Sequence, residues 1–176
     1  MDFFTTEEFI IEVTKLLKSK SHFDCEIEII NSILSSNIEQ IKNIACKRIG
    51  GDANKSPFLR KNVETSNGGK SGGYRLYFWL MVQDEDVYLL FIHPKKGRYS
   101  SPNITPKKQI ELVQTFKSSR ESDRFIKIEL NETKNKIVYS KDKSTVFNLN
   151  IAQQRFGAIG VLGKLIGWFC TWKFGP

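Results

Sequence analysis

Gly69-Lys70-Ser71-Gly72-Gly73-Tyr74-Arg75-Leu76 runs without a break into an apolar stretch ending at Val82. Val87-Tyr88-Leu89-Leu90-Phe91-Ile92-His93-Pro94-Lys95-Lys96 answers it after the acidic turn Gln83-Asp84-Glu85-Asp86. Residues 74–82 and 87–93 are rich in aromatic and branched side chains, which suit a pleated, half-buried surface, so both read as strands. The short polar turn joins them as an antiparallel hairpin. Two basic clusters then share one end of the hairpin, and the carboxylates occupy the other. Charge sorted in this way suggests a surface for phosphate.

Working outward, Pro57 and Phe58 lead into a third strand over 59–65, and Ser66-Asn67-Gly68-Gly69 is turn chemistry of the kind that joins antiparallel strands. Upstream, Thr5-Thr6-Glu7-Glu8 has the spacing of a capping box, and Phe9, Ile10, Val13, Leu16 and Leu17 recur at helical intervals. A second helix follows His22-Phe23-Asp24, with Ile27, Ile30 and Leu34 on one stripe. A third is expected over about 37–48 through Ile38, Ile41 and Ala45, ended by Gly50-Gly51. Beyond the hairpin, the loop 94–106 precedes a helix carrying Ile110, Val113 and Phe116. No internal repeat is present.

The 176 residues suffice for one ordinary domain, or a small one with an appendage. A domain of that size buries about 70% of its unfolded surface and needs no staple. The proportions, 40% apolar and 26% charged, are those of a globular chain rather than a disordered one. Cys25, Cys46 and Cys170 are odd in number and widely spaced, which argues against a disulfide framework and fits a reducing compartment. With only His22 and His93, and no paired Cys or His motif, no metal and no cofactor is expected. Met1-Asp2-Phe3-Phe4 opens the chain without the pattern of a secretory leader, so the cytoplasm is the expected location. The apolar run 156–169 is interrupted by Lys164 and too short to span a bilayer.

The net charge of +8 is unevenly placed. Residues 1–57 carry 7 basic and 9 acidic side chains, whereas 58–119 and 120–176 each carry 10 and 5. A slightly acidic first third and a basic remainder suit a protein that turns one face to a polyanion such as the ribosome, RNA or DNA. An acidic membrane surface is the weaker fit, because no Lys/Arg-rich amphipathic helix accompanies the charge.

Leu59-Arg60-Lys61, the Gly69 to Leu76 segment, the acidic turn, Val87-Tyr88-Leu89-Leu90-Phe91-Ile92 and Pro94-Lys95-Lys96 together resemble, in sequence and spacing, the RelE/ParE superfamily of type II toxins, and its HigB-like branch in particular. The resemblance spans about residues 3–118 and is strongest over 59–113. It implies an α+β fold in which N-terminal helices pack on a twisted antiparallel sheet. It also implies a toxin of a toxin–antitoxin system, held silent by a cognate antitoxin protein, that cuts mRNA on the ribosome and so inhibits translation. The chemistry in such proteins is metal-independent attack of the 2′-hydroxyl on the adjacent phosphate, which needs a proton acceptor, a proton donor and cations around the phosphorane.

By resemblance, Arg75 takes the place of the motif arginine that stabilises charge on the scissile phosphate. Lys70 lies in the loop that supplies phosphate contacts, and the basic loop after the last strand offers Lys95, Lys96, Arg98 and Tyr99, with His93 just before it. The expected catalytic set is therefore Arg75, Lys96, Arg98, His93 and Tyr99, and the expected RNA-binding set is Arg60, Lys61, Lys70 and Lys95. HigB-like relatives usually continue this loop with an Asn-Glu or Ser-Glu pair. Here Gly97-Arg98-Tyr99-Ser100 follows, so acid and base cannot be matched one for one.

His93 reads either as a base titrating near neutrality or as a polar residue closing an apolar strand. Tyr77 and Trp79 share the face of Arg75 at period two, which puts the guanidinium at the rim of an aromatic surface. Arg60 and Lys61 alternate across their strand, so only one can reach the same groove. A ParE-like inhibitor of DNA gyrase, or an inactive module that binds RNA or antitoxin, are the alternatives.

Residues 120–176 lie beyond the part covered by the resemblance, which sets the expected boundary between a toxin-like domain, 1–119, and a small β-rich extension. Segments 125–130, 137–139 and 146–149 read as a three-stranded meander. The final stretch, 151–176, is studded with glycine and carries Trp168, Phe169 and Trp172. It is expected to pack on the preceding strands or to cover part of the active groove.

Overall fold

The computed structural model describes residues 1–19, 21–22, 24–43, 46–65, 69–97, 100, 103–131, 133, 136–140 and 146–147. The fold is α+β. Strand β1 (Asp2–Thr5) is followed by helices α1 (Glu7–Leu17), α2 (Cys25–Ile29, continued by a π-helical turn over Ile30–Leu34) and α3 (Ile38–Asn43). Strands β2 (Cys46–Asp52), β3 (Ser56–Thr65), β4 (Gly69–Met81) and β5 (Asp86–Pro94) come next, then α4 (Pro106–Glu121), β6 (Ile126–Asn131), β7 (Lys136–Ser140) and the two-residue β8 (Val146–Phe147).

All eight strands form one sheet in the order β2-β3-β4-β5-β1-β6-β7-β8. The expectation of an antiparallel sheet needs correction, because β1 lies parallel to β5, with Phe3 opposite Val87 and Thr5 opposite Leu89. The residues of β1 are too few and too close to the following cap for their alternation to show. The Thr5 hydroxyl donates to the Leu89 carbonyl at 2.9 Å, which locks this junction. The expected boundary at 119/120 falls within the last turn of α4, and the strand that follows, β6, pairs directly with β1, Phe3 opposite Ile128. The C-terminal strands thus extend the same sheet.

Two apolar layers cover the sheet. On one face Phe9, Val13 and Leu16 of α1 and Cys25, Ile29 and Ile33 of the next helical segment join Tyr74, Leu76, Phe78, Leu80, Leu89 and Ile92 in one buried cluster. On the other, Leu112 and Phe116 of α4 join Phe58, Tyr77, Trp79 and Leu90. Each large side chain buried in this way stabilises the fold by about 1.5–3 kcal/mol before entropy is counted. Trp79 lies between two rings, 5.2 Å from Phe58 and 4.5 Å from Phe116 and nearly parallel to both.

Several local expectations shift. The N-cap of α1 is Thr6, whose side chain accepts from Phe9 N, so the reciprocal box on Thr5 does not form. In the second helix Cys25 and Ile29 face the core and Ile27 between them is 43% exposed, while Ile30, Ile33 and Leu34 of the π-helical turn are buried. The third helix ends at Asn43, and Cys46 to Asp52 are strand, with a bulge between Arg48 and Gly50. In α4, Leu112 and Phe116 face the sheet and Ile110 is 58% exposed. Ala45, the 66–68 turn, Leu149 and the 151–176 tail lie outside the described residues. Among the described residues no helix is long and apolar enough to cross a membrane.

The glycine-rich segment also departs from expectation: Gly69 to Gly73 are the first residues of β4 and not a loop. Gly73 adopts φ +83°, and a Cβ there would sit 2.1 Å from the Val63 carbonyl oxygen. Only glycine allows the strand to pass β3 so closely.

Candidate functional site

The face of the sheet under α4 gathers the basic residues of three strands. Arg60 on β3 stands opposite Tyr77 on β4, and Arg75 on β4 stands opposite His93 on β5. A β-bulge makes this possible. Between the pairs Tyr77/Phe91 and Phe78/Leu89, Leu90 is an extra residue on β5. Leu90 and Phe91 therefore both join the α4-side layer, and the alternation beyond them is reversed. Unbroken alternation from Leu89, with no bulge, would have pointed His93 to the α1 side.

Tyr77 is 1% and His93 4% exposed, and their side chains are joined, Tyr77 Oη to His93 Nε2 at 3.3 Å. His93 Nδ1 lies 3.0 Å from the Pro94 carbonyl, which can only accept. Nδ1 therefore carries the proton, Nε2 is the acceptor, and the Tyr77 hydroxyl donates to it. The rings stack at 5.7 Å. Burial lowers the His93 pKa; the Pro94 carbonyl opposes this, and the charges of Arg75 and Arg60 reinforce it. The imidazole is thus held neutral.

Tyr77 is pushed up by burial and pulled down by a hydrogen bond from the Ile104 backbone, by the charges of Arg60 and Arg75, and by a hydrogen bond with Arg60. Arg60 itself donates from Nη1 to Asn103 Oδ1 at 2.6 Å, while its Nε is buried with no partner among the described residues.

Lys95 completes the group. Its backbone N–H donates to Gly73 O at 2.9 Å. Its ammonium pKa is lowered by burial and by Arg75 and Arg60, with Glu64 acting in the opposite sense. Arg60, Arg75 and Lys95 are all half-buried, so each is anchored and still reaches solvent. Lys108 of α4 lies 5.1 Å above the Phe91 ring and closes one side. Three cations on a floor of aromatic rings give this end of the sheet a positive potential, tempered by Glu64 beside Lys95.

The remaining expected residues separate. Lys61 projects to the other face, where its ammonium donates to the Ser32 carbonyl. Lys70 is on β4, with only its backbone described, and Arg98 and Tyr99 lie outside the described residues. Lys96 turns away from its neighbour Lys95 and lines a cleft with His22. Both nitrogens of His93 are engaged within the protein, which gives it a positioning geometry in this state. Tyr77 enters the sequence reading only as a period-two neighbour of Arg75, and that spacing was the signal for it. Asn103 and the Ile104 amide had none. Among the described residues no group of three or more His, Cys, Asp or Glu is arranged to hold a metal ion. Comparison with family models, with curated proteins and with solved structures finds no match for this chain.

Proposed function

We propose that the α4 side of the sheet binds the phosphate backbone of RNA and that the protein is an endoribonuclease that cleaves mRNA by attack of the 2′-hydroxyl, the toxin of a toxin–antitoxin pair. The observation that carries this reading is the convergence of Arg60, Arg75 and Lys95 around the buried Tyr77–His93 pair. A pentavalent phosphorane has more negative charge than the phosphodiester it comes from. Fixed cations that need not reorganise favour it over the ground state. In this reading the 2′-oxygen bonds to phosphorus as the P–O5′ bond breaks, and solvent water takes the 2′-hydroxyl proton. Arg75 stabilises the phosphorane, Lys95 protonates the departing 5′-oxygen, and the Tyr77–His93 pair holds Arg60 in place.

The test is a cell-free translation reaction with the wild type and with Arg75→Ala, in which messenger ends are mapped by primer extension. New ends at codon-spaced positions that vanish in the variant are the expected result. Intact message with unimpaired translation would overturn it. The engagement of both His93 nitrogens favours, as a second reading, a module that binds RNA without cleaving it. A ParE-like action would instead register as inhibition of DNA supercoiling by gyrase.

A further inference from the structure

On the opposite face of the sheet a cleft of about 490 Å³ opens between the end of α1 and the turn after β5. Among the described residues its lining is Lys15, Lys18, Ser19, Ser21, His22 and Lys96, with Gly97, and none of these is a carboxylate. We propose that this cleft is a second ligand site, for a phosphate monoester, with Lys18 and Lys96 supplying the charge and His22 Nε2 the proton-sharing contact.

The geometry of His22 is built for that contact. Tyr74 Oη donates to the Asp24 carboxylate at 3.2 Å, which leaves the phenol oxygen to accept from His22 Nδ1, also at 3.2 Å. This relay fixes the proton on Nδ1 and leaves the lone pair on Nε2. A Cβ built on Gly97 would lie 3.9 Å from Nε2, so that nitrogen faces the wall of the cleft where a side chain is missing. A monoester has a second ionisation near pH 6, close to that of imidazole, so the two can share a proton. A phosphodiester has no such proton to share.

The surrounding charges are consistent with a dianion. Lys15 is held by Glu12 at 2.7 Å, and Asp24 lies behind Tyr74. Lys18 and Lys96 have no ion pair among the described residues. The carbonyl end of α1 has the wrong sign for an anion. That effect is blunted because Ser19 N–H caps the Leu16 carbonyl at 2.9 Å and Lys18 N–H caps that of Thr14 at 3.3 Å. Burial lowers the His22 pKa, with Asp24 opposing, which favours a neutral imidazole that a bound dianion would charge.

With only two histidines in the chain, imidazole NMR of the full protein reads each one separately. Inorganic phosphate replaces chloride at constant ionic strength, and parallel samples receive a dinucleotide with or without a 5′-phosphate. The His22 pKa is expected to rise by about one pH unit with inorganic phosphate while His93 stays put. The double variant Lys18→Gln/Lys96→Gln, both residues exposed, should lose the shift and keep the His93 resonance that reports an intact fold. A larger shift with the 5′-phosphorylated dinucleotide than with phosphate identifies a nucleic-acid terminus as the source; equal shifts identify free phosphate or a simple monoester. No movement of His22 in any sample would overturn the proposal, as would an equal shift with the unphosphorylated dinucleotide, or a shift that survives in the double variant.

Discussion

Tyr77 and His93, sixteen residues apart, share a 3.3 Å hydrogen bond although the ladder pairs Tyr77 with Phe91 and His93 with Arg75. The diagonal contact exists because Leu90 is an extra residue in β5, which puts His93 on the α4 side of the sheet. Tyr77 also takes a hydrogen bond from Arg60. One phenol therefore links the arginine of β3 to the imidazole of β5 across the strand between them.

Removing that hydroxyl in Tyr77→Phe leaves a buried imidazole nitrogen without its donor and Arg60 without one acceptor. The expected cost is about 1–3 kcal/mol, the penalty for orphaned buried polar groups, read as a lower midpoint in urea at unchanged slope. RNA binding should weaken alongside, because Arg60 loses its tether. Full stability in the variant would mean that water replaces the hydroxyl and that the pair does not organise the site.

If Arg60 and Arg75 contact phosphates of single-stranded RNA, each should contribute to the counterion release on binding. Fluorescence anisotropy across a salt series should give a plot of log K against log salt whose slope falls by about 0.7 for Arg75→Ala, and by a similar amount for Arg60→Ala. Lys61→Ala supplies the comparison. Its ammonium is on the opposite face at the Ser32 carbonyl, so the slope should not change. Equal losses at all three positions would place the RNA elsewhere.

The hairpin and its charge sorting were legible because strand alternation, turn chemistry and charge all agree within one short window. Arg75, Tyr77 and Trp79 could be placed on one face for the same reason. The position of His93 could not, since a bulge adds one residue to the count and nothing in Leu89-Leu90-Phe91 announces it. Likewise the second helix buries Cys25 and Ile29 and leaves Ile27 exposed, although all three fit an apolar pattern and only the partner surface decides between them. The parallel pairing of β1 with β5 is a contact between residues 84 apart, Thr5 and Leu89, which local patterns do not encode. Gly69 to Gly73 mislead most directly. Glycine there reads as a loop, whereas Gly73 serves a close approach of two strands.

That approach makes Gly73→Ala a sharp test of the sheet. Its positive φ is strained for alanine, and the new methyl would meet backbone rather than a movable side chain. A loss of about 2–3 kcal/mol is expected, measured by chemical denaturation. Gly50→Ala is the control: its nearest neighbours lie at 3.8 Å, so stability should stay within about 0.5 kcal/mol. Similar losses in both variants would indicate a general intolerance of side chains at these strands rather than a contact at Gly73.

The buried imidazole of His93 fixes the sign of a pH effect. Its folded pKa lies below the ordinary value of 6.5, so the unfolded chain takes up the proton first as pH falls. The unfolded state then binds more protons than the native one, and stability increases with pH in that interval. The contribution is fully present above about pH 6.5 and is lost as pH falls from there toward the folded value. His22 acts in the same direction, while burial raises Glu26 and gives the opposite sign from 4.5 upward, so the wild-type curve alone is a mixture. The comparison with His93→Gln separates them. Between pH 7 and pH 5 the wild type should lose more stability than the variant, measured by urea titrations at matched ionic strength. Parallel curves would mean that His93 is protonated in the native state as readily as in the unfolded one, and that the hydrogen bond from Tyr77 does not hold it neutral.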